Sequence, residues 1–202
     1  VLGSAQVVVE HDGLKMICTG DYKRRPDPTC APFEVEACDV FISEATFALP
    51  VFRHPDDRGE IGKLLKSLKD FPERTHLVSA YSLGKAQRVI ALLREAGYDE
   101  TILITKPVED LCALYERHGV KLGPLDVVAT ETRKGERFAG RVVVGPSQSF
   151  SDAFARRCAD PVIAFASGWM NIRARAKGMG VELPLIISDH ADWDEPVSYT
   201  HL

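Results

Sequence analysis

The stretch Ser188-Asp189-His190-Ala191-Asp192 sets two carboxylates around one imidazole, immediately after an apolar run (Leu183 to Ile187, interrupted by Pro184). Open α/β sheets present their reactive groups in this way, just beyond the carboxyl ends of buried strands. Two more acidic groups stand at equivalent places. Asp21 follows the run Leu14 to Thr19, and Glu44 follows Cys38 to Ser43. An imidazole flanked by carboxylates is a group that can switch protonation or act as a ligand. Each group has a plainer reading of its own. His190 could pair locally in a polar turn, and Asp21 or Glu44 could be a helix cap or a surface charge. The three strand ends together favour a shared site.

Two further strand ends are phosphate-friendly. Tyr81-Ser82-Leu83-Gly84-Lys85-Ala86-Gln87 opens a helix after a strand, so backbone amides, Gly84 and the charge of Lys85 could hold an anion, with Ser82 beside them. It is not a P-loop, because the glycine spacing and the Lys-Ser/Thr pair are missing. Ser167-Gly168-Trp169 also follows a strand and leads to Arg173, Arg175 and Lys177. Ser167 and Gly168 could form a second nest, with Arg173 on a basic face. The alternatives are an ordinary strand-to-helix turn for the first and a solvated amphipathic turn for the second. Trp169 is either a stacking platform for a base or a partly buried core anchor. No serine lies in a G-x-S-x-G elbow, and no Ser-His-Asp triad is apparent.

The elements that would carry these groups come from periodicity. Ala5 to Glu10 and Leu14 to Thr19 read as a β-hairpin turning at Asp12-Gly13. Pro26, Pro28 and Pro32 exclude regular structure between Asp21 and the strand Cys38 to Ser43. From Gly59 onward helix and strand patterns alternate. Helices are expected around Ile61 to Leu68, Val89 to Leu93, Val108 to Gly119 and Asp152 to Ala159. Strands are expected at Leu77–Ala80, Ile102–Thr105, Arg141–Val144 and Val162–Ala166. Such alternation predicts a parallel, doubly wound sheet. Thr130 to Arg137 reads as a solvated loop.

Composition is that of an ordinary globular chain: 202 residues, 45% hydrophobic and 27% charged. A net charge of −4 excludes a surface that is basic all over, so a polyanion would need a local basic patch or bound cations. Five scattered cysteines (Cys18, Cys30, Cys38, Cys112, Cys158), with no C-x-x-C pair, suggest neither a disulfide framework nor a structural zinc site. A reducing cytoplasm fits best. No run of 18 apolar residues predicts a membrane span.

The order of the pieces resembles the metallo-β-lactamase-fold nucleases of the β-CASP group, and within it the ligase-associated DNA exonuclease branch, which is related to mRNA 3′-end processing nucleases. The resemblance is carried by Val1-Leu-Gly-Ser-Ala-Gln6, Thr19-Gly-Asp-Tyr-Lys-Arg24, Asp27-Pro-Thr-Cys-Ala-Pro-Phe33, Ile42-Ser-Glu-Ala-Thr-Phe47, Leu83-Gly-Lys-Ala-Gln-Arg88, Ser167-Gly-Trp-Met170 and Ser188-Asp-His-Ala-Asp-Trp193. It implies an α/β fold in which part of a metallo-β-lactamase core (residues 1–49, then 186–202) carries an inserted β-CASP cap domain on a mostly parallel sheet (residues 50–185). It further implies that Asp21 bridges two zinc ions, that Glu44 begins the insertion, and that His190, held by Asp189 or Glu44, closes it. The expected activity is metal-dependent phosphodiester hydrolysis of a strand lying between cap and core. The strand would be DNA, with an ATP-dependent DNA ligase as a possible partner, or RNA; a non-catalytic nucleic-acid-binding scaffold is the alternative from another class. The family's upstream histidine-rich loop, the histidine expected just before Val1 and a final ligand histidine beyond His190 are absent here. The chain therefore reads as a fragment, inactive alone, and His201 in its unfamiliar tail receives no role.

Overall fold

A computed structural model describes residues 1–128 and 138–199. The expected loop Thr130 to Arg137 and His201 lie outside the described residues. The fold class is as expected: α/β, with a mostly parallel sheet.

The first strands are β1 (Val7–His11), β2 (Leu14–Cys18) and β3 (Val40–Ile42). Strands β1 and β2 form the hairpin, paired antiparallel from Val7↔Cys18 to His11↔Leu14. Its two turn residues, Asp12 (φ 48°) and Gly13 (φ 80°), are both left-handed, as a two-residue turn matched to strand twist requires. Strand β3 returns after the proline-rich connection and pairs parallel with β2, Cys18 opposite Ile42.

The larger sheet contains β4 (His76–Ser79), β5 (Ile102–Thr105), β6 (Leu125–Val128), β7 (Val142–Gly145), β8 (Val162–Ala166) and β9 (Leu183–Leu185), in the order β6-β5-β7-β4-β8-β9 and all parallel. Its central strands β4, β5 and β7 are buried along their whole length, as strands covered on both faces must be. Helices α1 (Asp57–Asp70), α2 (Lys85–Glu95) and α3 (Lys106–Arg117) cover one face, where Ile61, Leu64, Val89, Ile90, Leu93, Val108 and Tyr115 join Val78, Ile104 and Val144 in one cluster. The short helix α4 (Asp152–Ala155) covers the other, where Phe154 meets Leu77, Leu103 and Val143. The split follows from handedness. Chain connections leave β4 toward β5 and β6 but pass from β7 over β4 to β8, and right-handed crossovers in opposite directions lie on opposite faces. The two loops beyond β4 and β8, neighbours in the sheet, therefore meet at its switch point.

Two elements escape the periodicity. Strand β6 is an edge strand whose Asp126 breaks the apolar run. Helix α6 (Asp194–Tyr199) holds Pro196 within its first turn, where proline is tolerated because the amide lost there has no partner in the helix. Helix α1 also begins earlier than the pattern from Gly59, because the side chain of Asp56 accepts from the amide of Arg58 and caps the new start. Helix α4, conversely, stops at Ala155 rather than Ala159. The helix α5 (Arg173–Gly178) completes the set. Among the described residues no helix is long and apolar enough to cross a membrane.

A candidate acid–imidazole centre at the strand ends

The parallel pairing of β2 with β3 explains why two carboxylates far apart in sequence stand together. With Cys18 opposite Ile42, the chain emerges from both strands on one side, and the amide of Thr19 donates to the carbonyl of Ile42 (3.0 Å). Asp21 and Glu44 follow within three residues of the ladder's end. The segment after β9 brings His190 to the same place from the other sheet. Ligand atoms of Asp21, Glu44 and His190 lie within 4.8 Å of one another, and among the described residues theirs is the one cluster of such donors.

Glu44 is the hub. Its Oε2 lies 2.9 Å from His190 Nδ1, and its Oε1 accepts from the amides of Tyr22 and Ala191, both at 3.1 Å. One carboxylate, 6% exposed, thus ties the Asp21 segment to the His190 segment. Burial works to raise its pKa, but the bonds from His190, Thr46 and the Tyr22 amide outweigh it and hold the carboxyl below its usual range. The bond to Glu44 lifts the His190 imidazole above its ordinary value against burial, with the charges of Glu44 and Asp21 adding to the lift. The pair therefore favours an ionised carboxylate beside an imidazole that keeps its proton on Nδ1, leaving Nε2 to act. Asp21 is the open member: its carboxylate is 74% exposed, 3.9 Å from His190 Nδ1. Carboxylates suit a borderline divalent cation such as zinc, and the ligand atoms of Asp21 and Glu44 stand close enough to face one ion; His190 could join them through Nδ1 only by giving up the proton held there, and two ions need more donors than these three.

The remaining expected residues are placed differently. Asp189 pairs not with His190 but with Lys85 (3.3 Å), so of the two carboxylates expected to hold the imidazole it is Glu44 that does. Lys85 is 2% exposed and spends its charge on that pair, while its amide and that of Ala86 already donate to Leu83 and Tyr81. Gly84 takes φ 81°, and a side chain there would run into Val1 at 2.7 Å. Ser167 accepts from the amide of Trp169, and a Cβ on Gly168 would stand 2.6 Å from the Phe47 ring and 2.9 Å from His54. These groups are engaged within the protein, Lys85 by an ion pair, Ser167 as a cap, and Gly84 and Gly168 by close packing. Ser82 is half-buried and Arg173 exposed. Trp169 packs on Phe47 (4.9 Å) and Phe52 (5.4 Å), with Arg175 over its ring at 4.7 Å, which is the core-anchor alternative.

Sequence reasoning misses the supports. Phe47, buried, lies edge-on to His190 at 6.0 Å. Buried Arg88 donates to the carbonyl of Ser188 (3.2 Å) and pairs with Asp57 and with Asp27 (3.1 Å). Its helix periodicity and the Pro-Asp-Pro loop give no sign that they meet.

No protein-family model matches the chain. A probable DNA ligase from Opitutus terrae is 26% identical to it over 202 residues, covering 96% of this chain and 19% of that protein. Endoribonuclease ysh1 of Aspergillus fumigatus is 33% identical over 100 residues, 47% of this chain and 11% of that protein. Cleavage and polyadenylation specificity factor 73 of Drosophila melanogaster is 31% identical over 98 residues, 47% of this chain and 14% of that protein. The chain spans less than a fifth of each of these relatives. At low identity and over part of each relative, these similarities indicate a nuclease family of the metallo-β-lactamase/β-CASP kind.

Proposed function

We propose that this chain supplies part of the active centre and the cap of a metal-dependent nuclease that hydrolyses phosphodiester bonds, with residues 1–49 and 186–202 belonging to the core and 50–185 to the cap. The observation that carries the reading is the convergence of Asp21, Glu44 and His190 at the ends of strands from two different sheets. Asp21, exposed toward solvent, is the residue to hold a divalent cation, zinc by resemblance and two ions in the complete centre. Such an ion, when bound, neutralises phosphate charge and makes water a stronger acid. Glu44 keeps the His190 imidazole oriented and protonated at Nδ1, and Nε2 then binds the scissile phosphate or passes a proton to the leaving oxygen. Ser82 and Arg173, the more accessible members of the phosphate set, are the ones left to meet flanking phosphates.

DNA is the favoured substrate, and an exonuclease working beside a DNA ligase the favoured setting, because the relative named a DNA ligase matches nearly the whole chain. RNA is the second reading, supported by the relatives named as an endoribonuclease and a cleavage and polyadenylation factor. In the protein that carries this chain, His190→Ala should lower turnover on a labelled strand by about 10²–10⁴-fold, the worth of a positioned acid or base, with metal content near normal. Unchanged turnover would remove His190 from the mechanism. Comparing matched DNA and RNA strands in the same assay separates the two substrates, since the 2′-hydroxyl is what tells them apart.

A further inference from the structure

Asp21 has little to fix it. It follows Gly20, which is left-handed at φ 59°, and its side chain is largely exposed. Arg25 of its own segment, with Asp192 and Glu195, ties that segment to the one that carries His190. Arg25 donates through Nη1 to the carbonyls of His54 (2.7 Å) and Pro55 (3.1 Å), and through Nη2 to Asp192 Oδ2. Asp192, 0% exposed and two residues from His190, also accepts from the amides of His54 (2.9 Å) and Asp194 (3.2 Å). Glu195 accepts through Oε1 from the amides of Arg24 (2.6 Å) and Arg25 (2.9 Å), and through Oε2 from that of Asp192 (3.0 Å). Two buried carboxylates from the His190 segment therefore close on the guanidinium and backbone of the Asp21 segment. Buried charges are retained at a desolvation cost and are strongly directional once paired.

We propose that Arg25, Asp192 and Glu195 are positioning residues: a clamp that sets the distance between Asp21 and His190. This rests on the reading of those two as members of one hydrolytic centre. None of the three clamp residues needs to touch substrate. Their work is to stop the Asp21 segment sliding relative to the imidazole, where a misplacement of about 1 Å costs about 10²-fold in rate.

The test uses Arg25→Gln and, as a change that keeps shape but turns one of the two accepting oxygens into a donor facing a backbone amide, Glu195→Gln, both in the protein that carries this chain. Each is examined by hydrogen exchange of peptides covering 185–193, and by turnover on a labelled strand across substrate concentrations. The expected result is exchange of the Ala191 amide about tenfold faster, reflecting local opening, with kcat down by about 10²-fold and KM little changed. Unaltered exchange in both folded variants overturns the clamp. Faster exchange with kcat intact overturns its role in positioning, provided His190→Ala is itself inactive. Should the parent protein show no turnover on any strand, the nuclease reading has failed; should His190→Ala retain full turnover, His190 leaves the mechanism; in either case the exchange result alone judges the clamp.

Discussion

Replacing Arg88 with methionine should cost this protein a large share of its stability. The side chain is 1% exposed, and removing it strands the carboxylates of Asp57 and Asp27 and one carbonyl, that of Ser188. Burial disfavours the guanidinium's charge, yet Asp57, Asp27 and Asp189 together hold its pKa above the ordinary value, so the charge is a settled part of the fold. Breaking a buried pair from one side costs about 3–5 kcal/mol, because the remaining charge stays desolvated. For a chain of this size that lowers the melting temperature by about 6–20 °C. Arg88→Met combined with Asp27→Asn and Asp57→Asn should recover most of the loss, since neutral partners no longer need compensation. Urea unfolding followed by fluorescence and circular dichroism measures all three states of the argument. A loss of under about 1 kcal/mol for Arg88→Met alone would refute the claim that buried, one-sided charge governs this corner.

Acid should weaken the fold through His54. Burial, with Lys23, Arg25 and Lys85 nearby and Asp192 opposing, drops its pKa from 6.5 to about 4. Between those values the unfolded chain binds the proton and the folded one does not, so stability rises with pH and is lost as pH falls through the window, by about 3 kcal/mol in all. His54→Phe should flatten that part of a pH series of urea midpoints, and an unchanged slope would count against the assignment. Gly168→Ala should cost about 1–3 kcal/mol by forcing Phe47 aside, and should shift the His190 ring resonance through the Phe47 edge; a variant as stable as the parent with an unmoved resonance would show that the ring has room.

Much of this architecture is legible from residue types. The hairpin follows from Asp12-Gly13, and Ile102–Thr105 and Val162–Ala166 fall at the expected positions because buried parallel strands read as unbroken apolar runs. Strand β6 is hidden because an edge strand needs no such run, and α6 because proline masks its start. At the site, Asp21, Glu44 and His190 are visible as strand ends. Their supports are not: Arg25 meets Asp192 across 167 residues of chain, and Lys85, which looks like a phosphate ligand, is turned inward onto Asp189. Local pattern reports which element a residue belongs to, whereas ion pairing is decided by how elements pack.

The centre draws its acids from the three-stranded sheet and its imidazole from the six-stranded one. Neither sheet folded by itself possesses it. The cluster is consequently a property of a joint, and anything that prises the two sheets apart separates Asp21 and Glu44 from His190.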